Sequence, residues 1–255
     1  MARDPQVSLV VPVYEEEDNV PILVAQIQAA LARQERSWEL LLVDDGSGDA
    51  SWERISAAAA ADPRVLGIRF GRNRGQTAAF AAGFRAARGH LLVTLDADLQ
   101  NDPDDIPRLL DVQADRDADV VLGVRANRRD HLVRRWSSKL ANGYRRWRTK
   151  DDTIDTGCSL KVFRTRFVRE MPLFTGMHRF LPTLARMSGA DRIEQVAVNH
   201  RPRVHGRSKY GVWNRLWVGL ADVGAVRWMQ KRHLGYEIAE ETGRQAPAPV
   251  ASETA

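Results

Sequence analysis

Five short apolar runs, each closed by polar residues and separated by a stretch of helical length, constrain this chain more than any other feature. They cover residues 7–13, 38–43, 65–70, 90–95 and 118–123. Helical stretches are predicted between them over 19–33, 50–61, 76–87 and 104–115. Strands alternating with helices at this spacing predict βαβ units and a mostly parallel sheet. The runs are almost continuously apolar, as strands covered on both faces are. In such sheets ligands bind beyond the carboxyl ends of the strands. The polar residues that close the runs, Tyr14, Asp45, Asp96, Asp98 and Arg125, are therefore expected along one edge.

Length and composition narrow the class. A chain of 255 residues with 44% hydrophobic and 28% charged residues is that of an ordinary globular protein, which excludes wholesale disorder, a collagen-like repeat and a polytopic membrane protein. The single cysteine, Cys158, excludes an internal disulfide framework and a cysteine-cluster metal site, and points to a reducing compartment. The N-terminus lacks the apolar core of a secretory signal. The net charge of +5 is uneven. Residues 125–150 carry ten Lys/Arg against Asp130, and 200–235 carry eight against Asp222, so the rest is strongly acidic. A basic second part suits an anionic ligand or surface: nucleic acid, a phosphorylated substrate or a membrane face.

Beyond Arg125 the pattern changes. Leu132, Val133, Trp136, Leu140, Tyr144 and Trp147 recur at helical spacing, as do Trp213, Leu216, Trp217, Leu220, Gly224 and Trp228. Five of the seven tryptophans lie in these two stripes. Such stripes pack on a domain, or lie on an anionic leaflet with their Arg and Lys. No run reaches the roughly 18 apolar residues that a membrane span needs. The expected organisation is one domain over 1–240, with 1–125 binding a nucleotide, 126–240 facing an acceptor or membrane, and a disordered tail over 241–255.

The acidic segment Asp96-Ala97-Asp98-Leu99-Gln100, directly after the fourth run, carries the chemistry. Two carboxylates two residues apart at a strand end can converge on one hard cation, and Gln100 adds a neutral oxygen. Mg²⁺ and Mn²⁺ take such ligands and are completed by substrate phosphates. An isolated pair of this kind is equally a solvated acidic turn; its place at a strand end favours the metal. Tyr14 offers a flat face to a base, and Glu16 and Asp45 offer acceptors to ring N–H groups or ribose hydroxyls. The Pro12 and Asp44-Asp45-Gly46-Ser47 segments also have plain uses, closing a strand and making a turn. The loop 71–75 suits phosphate or mere turn geometry, and His178 and His205 are candidate phosphate donors.

PVYEEE, VDDGSGD, GRNRGQTAAFAAGF and LDADLQNDP, in this order, resemble a family 2 inverting glycosyltransferase with a GT-A fold. The stretch from DTGCSLKVFR to HGRSKYG is similar to the dolichyl- or polyprenyl-phosphate sugar transferases. The resemblance spans about residues 6–215. It implies that Pro12, Tyr14 and Glu16 hold the donor nucleoside and that Val43 and Asp45 contact its base and ribose. It implies that Asp96 supports the donor sugar and ribose, and that Ala97, Asp98 and Gln100 form the donor and metal site, with Mg²⁺ or Mn²⁺ as cofactor. Arg125 matches an arginine near the donor phosphates, Arg203 and Lys209 match basic residues that close over the diphosphate and acceptor phosphate, and Asp155 lies on the acceptor side as a base or positioning group.

The implied reaction moves one sugar from a GDP- or UDP-sugar to a polyprenyl (dolichyl or undecaprenyl) phosphate, at the inner face of a membrane. Transfer to a hydroxyl acceptor in polysaccharide synthesis is the alternative within the family. Two features separate the chain from parts of the family: the C-terminal spans of many relatives and the QxxRW motif of processive synthases are both missing. A sugar-1-phosphate nucleotidyltransferase would need a Gly-rich basic loop where PVYEEE stands. A nucleic-acid-binding module would use the basic half, but leaves the acidic cluster without a purpose, so no nucleic-acid partner is expected.

Overall fold

The computed structural model describes residues 4–125, 143–169, 171–202 and 212–234, the side chains of 212–218 excepted. Seven strands form one sheet in the order β3-β2-β1-β4-β6-β5-β7. They are β1 (Val7–Val13), β2 (Trp38–Asp44), β3 (Val65–Arg69), β4 (Leu91–Thr94), β5 (Val120–Arg125), β6 (Lys161–Arg164) and β7 (Ile193–Val198). Helices α1 (Asn19–Leu31), α2 (Ser51–Ala61), α3 (Gln76–Ala86) and α4 (Ile106–Asp115) fill the first four crossovers. Residues 143–149 form α5, followed by α6 (Leu181–Met187) and α7 (Val212–Arg232).

The five expected strands and four helices all form, with ends displaced by one or two residues. The apolar runs are continuous because both faces are covered. Leu9, Val11, Val13, Leu40 and Leu42 face Leu23, Ile27, Ile55, Ile106 and Leu109 of α1, α2 and α4. Val10, Leu41 and Val43 face Phe80 and Phe84 of α3, with Leu181 and Leu184 of α6 and Val223 and Val226 of α7 in the same cluster. Each such side chain, fully buried, contributes about 1.5–3 kcal/mol.

Two strands are not among those read from the sequence. β6 has four residues and runs antiparallel to both β4 and β5, with Lys161 opposite Thr94 and Leu122. β7 pairs in parallel with β5 from Ile193 opposite Val120 to Val198 opposite Arg125. The chain after Arg125 therefore returns to complete the sheet that the first part begins. Pro12 fits inside β1 because pairing with β4 ends at Val10, so its missing N–H falls beyond that ladder.

Helix α7 shows Val223, Val226 and Asp222 to the interior, while Leu220 and Trp228 face solvent. The buried face thus differs from the stripe through Leu220, Gly224 and Trp228. Trp147 on α5 is 72% exposed and Trp228 63%. The rest of the first stripe and the side chains of Trp213, Leu216 and Trp217 lie outside the described residues. Among the described residues, no helix is long and apolar enough to cross a membrane.

Candidate active site

The carboxyl ends of β1, β2, β4 and β5 open on one edge of the sheet, where β6 begins with Lys161. Tyr14, Asp45, Asp96, Asp98 and Arg125 follow these ends, as their places in the sequence require.

The first two loops are stitched together by their main chains. The Ser47 hydroxyl accepts the Glu15 N–H at 2.9 Å, and the Ser51 hydroxyl accepts the Glu16 N–H at 2.8 Å. Glu16 Oε2 accepts Asn19 Nδ2 at 2.5 Å. Glu15 takes a left-handed φ of 53°, and its charge raises the Tyr14 hydroxyl above its ordinary pKa. Asp45 accepts the N–H groups of Arg74 and Gly75 at 2.6 and 2.8 Å. Two amides of the 71–75 loop therefore serve Asp45 rather than standing ready for a phosphate. Burial raises the Asp45 pKa, and those two amides oppose the rise. Gly46, at φ 71°, lies against the main chain of Arg72 and Asn73, where any Cβ would collide. The side chains of Val43 and Ala97 are buried in the core, which leaves their main-chain atoms for any contact with a ligand.

The acidic loop leaves β4 with Asp98 buried and Asp96 half-buried. The Asp98 Oδ1 accepts the Gln100 N–H at 3.2 Å, closing a tight turn. Leu99 between them holds a left-handed φ of 59° and buries its side chain. Burial and the neighbouring Asp98 push Asp96 up to about 6, against the pull of Ser159, Lys161 and Arg125. Two carboxylates that resist sharing negative charge make a donor set suited to a cation. Asp96, Asp98 and Gln100 offer the oxygen donors that a hard divalent ion takes; among the described residues no group of three or more His, Cys, Asp or Glu is gathered to hold one, so such a site draws on the neutral oxygen of Gln100. Such a site leaves coordination positions for substrate phosphate.

Arg125 and Asp155 form a forked pair, Nε to Oδ2 and Nη2 to Oδ1, both at 2.7 Å, with side chains 14% and 9% exposed. Asp155 also accepts the Gly157 N–H at 3.2 Å. A Cβ at Gly157 would lie 2.7 Å from Arg125 Nη2, so glycine leaves room for the guanidinium. Both carboxylate oxygens of Asp155 are thus committed to Arg125, an arrangement that orients an arginine rather than a proton acceptor. Arg145, buried on α5, clamps the preceding turn through Asp151 Oδ2 at 3.0 Å and the Thr153 carbonyl at 2.6 Å.

Several contributors are absent from the sequence reading. Lys161 is buried under the acidic loop, where its Nζ donates to the Cys158 carbonyl and burial lowers its pKa. His200 bridges Asn101 main chain to main chain, the Arg201 N–H donates to the Gln100 carbonyl at 2.8 Å, and Arg201 pairs with Asp102 at 2.6 Å. The segment after β7 is thereby fastened to the acidic loop. A basic pair following a strand is the signal that could have pointed to it. His178 contacts Thr77 Oγ1 through Nδ1 at 2.9 Å, and burial lowers its pKa to about 3, so it is neutral at physiological pH. The Gly176 N–H donates to the same hydroxyl at 3.1 Å. Arg203, Lys209 and His205 lie outside the described residues.

The sequence profile described as glycosyl transferase family 2 matches residues 8–173. The chain is 42% identical over 210 residues to the dodecaprenyl-phosphate galacturonate synthase of Rhizobium johnstonii, covering 81% of this chain and 62% of that protein. It is 42% identical over 207 residues to the undecaprenyl-phosphate 4-deoxy-4-formamido-L-arabinose transferase of Aeromonas hydrophila, covering 81% of this chain and 63% of that protein. The chain thus spans about three-fifths of the length of these relatives. Among solved structures, glucosyl-3-phosphoglycerate synthase from Mycobacterium tuberculosis, in complex with Mn²⁺, UDP and glucosyl-3-phosphoglycerate, superposes with a TM-score of 0.63 at 19% identity, over 89% of this chain and 80% of that one. A mannosyltransferase from Pyrobaculum calidifontis in complex with GDP-mannose and Mn²⁺ gives 0.59 at 18% identity, over 92% and 66%. The shared architecture is the GT-A fold.

Proposed function

The chain belongs to glycosyl transferase family 2, and on that premise we propose that it transfers one sugar from a nucleotide-diphosphate sugar to a polyprenyl phosphate. The observation that carries this reading is the pair Asp96 and Asp98 on the same sheet edge as Tyr14, Asp45 and Arg125, in a chain 42% identical to two proteins named for polyprenyl-phosphate products. Asp96, Asp98 and Gln100 would hold a Mg²⁺ or Mn²⁺ ion. That ion supplies Lewis-acid neutralisation of the departing diphosphate.

The chain's own residues supply the remainder. Tyr14 and Glu16, after β1, and Asp45, after β2, surround the place of the nucleoside. Arg125, oriented by Asp155, adds fixed positive charge near the phosphates, and such preorganised charge lowers a barrier by several kcal/mol. Arg203 and Lys209 are proposed to close over the same phosphates. An acceptor phosphate oxygen attacks the anomeric carbon as its bond to the donor phosphate breaks, with inversion. That oxygen is an anion near neutral pH, so no side chain has to take a proton, and the commitment of Asp155 to Arg125 agrees with this.

Trp147, Trp228, Leu220 and Ile154 are exposed beside the exposed charges of Arg146, Lys150, Lys231 and Arg232. Gln230 on α7 donates to the Thr149 carbonyl at the end of α5 at 2.7 Å, joining these two regions. Interfacial tryptophan with basic residues suits an anionic lipid face, which supports a position at the inner surface of a membrane in this reading.

The test offers radiolabelled UDP- and GDP-sugars with undecaprenyl or dolichyl phosphate and Mg²⁺ or Mn²⁺. Label should enter butanol only when one donor, the lipid and the metal are all present. Label that stays aqueous with every donor overturns the reading.

A further inference from the structure

We propose that Gln76 and Ser159 are positioning residues of the acidic site, fixing the Asp96 carboxylate and both ends of the 96–101 loop before any ligand arrives. This inference rests on the metal-dependent reading above. Gln76, the first residue of α3, donates from Nε2 to Asp96 Oδ1 at 2.7 Å. Its own place is set by the preceding residue, because the Gly75 N–H is held by Asp45 at 2.8 Å. A carboxylate after β2 thus sets a helix end that in turn orients a carboxylate after β4.

Ser159 works from the opposite side. Its single hydroxyl oxygen accepts the Asp96 N–H at 3.1 Å and Asn101 Nδ2 at 2.6 Å, gripping the loop at entry and exit. Ser159 is itself held through its carbonyl, which accepts from Thr94 Oγ1 at 2.5 Å. Between the two grips Leu99 keeps a left-handed backbone, a conformation that is strained for a residue with a Cβ. Such strain persists where surrounding contacts over-determine the geometry. With both ends of the loop pinned and Oδ1 engaged, the carboxylate keeps one direction without a cation to align it.

The test is calorimetric titration of Mn²⁺ into the full chain saturated with UDP or GDP, whichever the wild type binds. Gln76→Met and Ser159→Ala should each weaken Mn²⁺ binding about tenfold, the loss expected for one hydrogen bond to a charged group. Metal-free nucleotide binding should stay within about twofold, and Ser159→Thr, which retains the hydroxyl, should bind Mn²⁺ within about threefold of the wild type. A merely structural role would instead lower nucleotide and metal binding together. Wild-type binding with both variants unchanged overturns this assignment alone. A wild-type chain that takes up no Mn²⁺ with either nucleotide overturns the functional reading and this assignment with it. Should Ser159→Ala fail to fold, Gln76→Met, on a half-buried helix end, decides by the same readout.

Discussion

The loops that close the first strands and the segments beyond residue 142 meet solvent in opposite ways. In the first, main-chain N–H groups are tied to side-chain oxygens across long sequence distances: Glu15 to Ser47, Glu16 to Ser51, Arg74 and Gly75 to Asp45, Asp96 to Ser159. In the second, Trp147, Trp228 and Ile154 stand in water while charged residues such as Arg145 and Asp151 are buried. Polar groups turned inward to fix loops suit a ligand that must be held in one pose. Apolar groups turned outward beside basic ones suit a broad, fluid surface. The comparison therefore separates two kinds of recognition within one sheet-based domain.

The sharpest way to break that contrast is at the acidic loop. Asp98→Ala should reduce sugar transfer about a thousandfold, roughly 4 kcal/mol of barrier, with the fold retained by circular dichroism; transfer within tenfold of wild type would remove Asp98 from the chemistry. Next in size is Asp155→Ala, which strands the Arg125 charge in a buried site. Losing one partner of such a pair costs about 3–5 kcal/mol, and denaturant unfolding should report it. A midpoint equal to wild type would mean that the fork contributes nothing to folding.

Asp62 tests a pair remote from the site. Its carboxylate accepts Arg64 and Gln28, and the Arg64 hydrogen bonds hold its pKa well below the usual range. A depressed folded pKa contributes stability above the unfolded value near 4 and loses it as pH falls further. Asp62→Asn should cost about 1 kcal/mol at pH 7, with the gap to wild type narrowing below about pH 4; a gap independent of pH would refute the pairing. Smallest for stability is Trp147→Ser with Trp228→Ser, expected within about 0.5 kcal/mol as an exposed change. The same double variant should lose flotation with anionic vesicles at low salt. Unchanged flotation would dissolve the contrast drawn above.

The sequence exposes these two regions unequally, for physical reasons. A strand covered on both faces writes itself as a continuous apolar run, which is why β1 to β5 and the four helices between them are legible. β6 has only four residues, Lys161 among them, and β7 is a half-exposed edge with Glu194 and Gln195 inside it. Neither writes a run. Asp96 and Asp98 are visible because they close a strand, whereas Ser159 and Gln76 act through folding that brings positions 63 and 20 residues away onto Asp96. An ordinary serine and glutamine carry no local mark of that. Asp155 is legible as a site residue, but its partner is not, since only the sheet order sets β5 beside the turn that bears it.

The insertion of β6 between β4 and β5 has a consequence for how the protein is made. During synthesis the first 125 residues emerge with β1 to β5 present, yet the central strand β4 is left with one edge bare until residues 161–164 leave the ribosome. Nascent chains shorter than that should therefore be vulnerable to edge-to-edge association and to proteases, and maturation of the ligand cleft should coincide with release of this short ribbon rather than with completion of the half that appears to contain it.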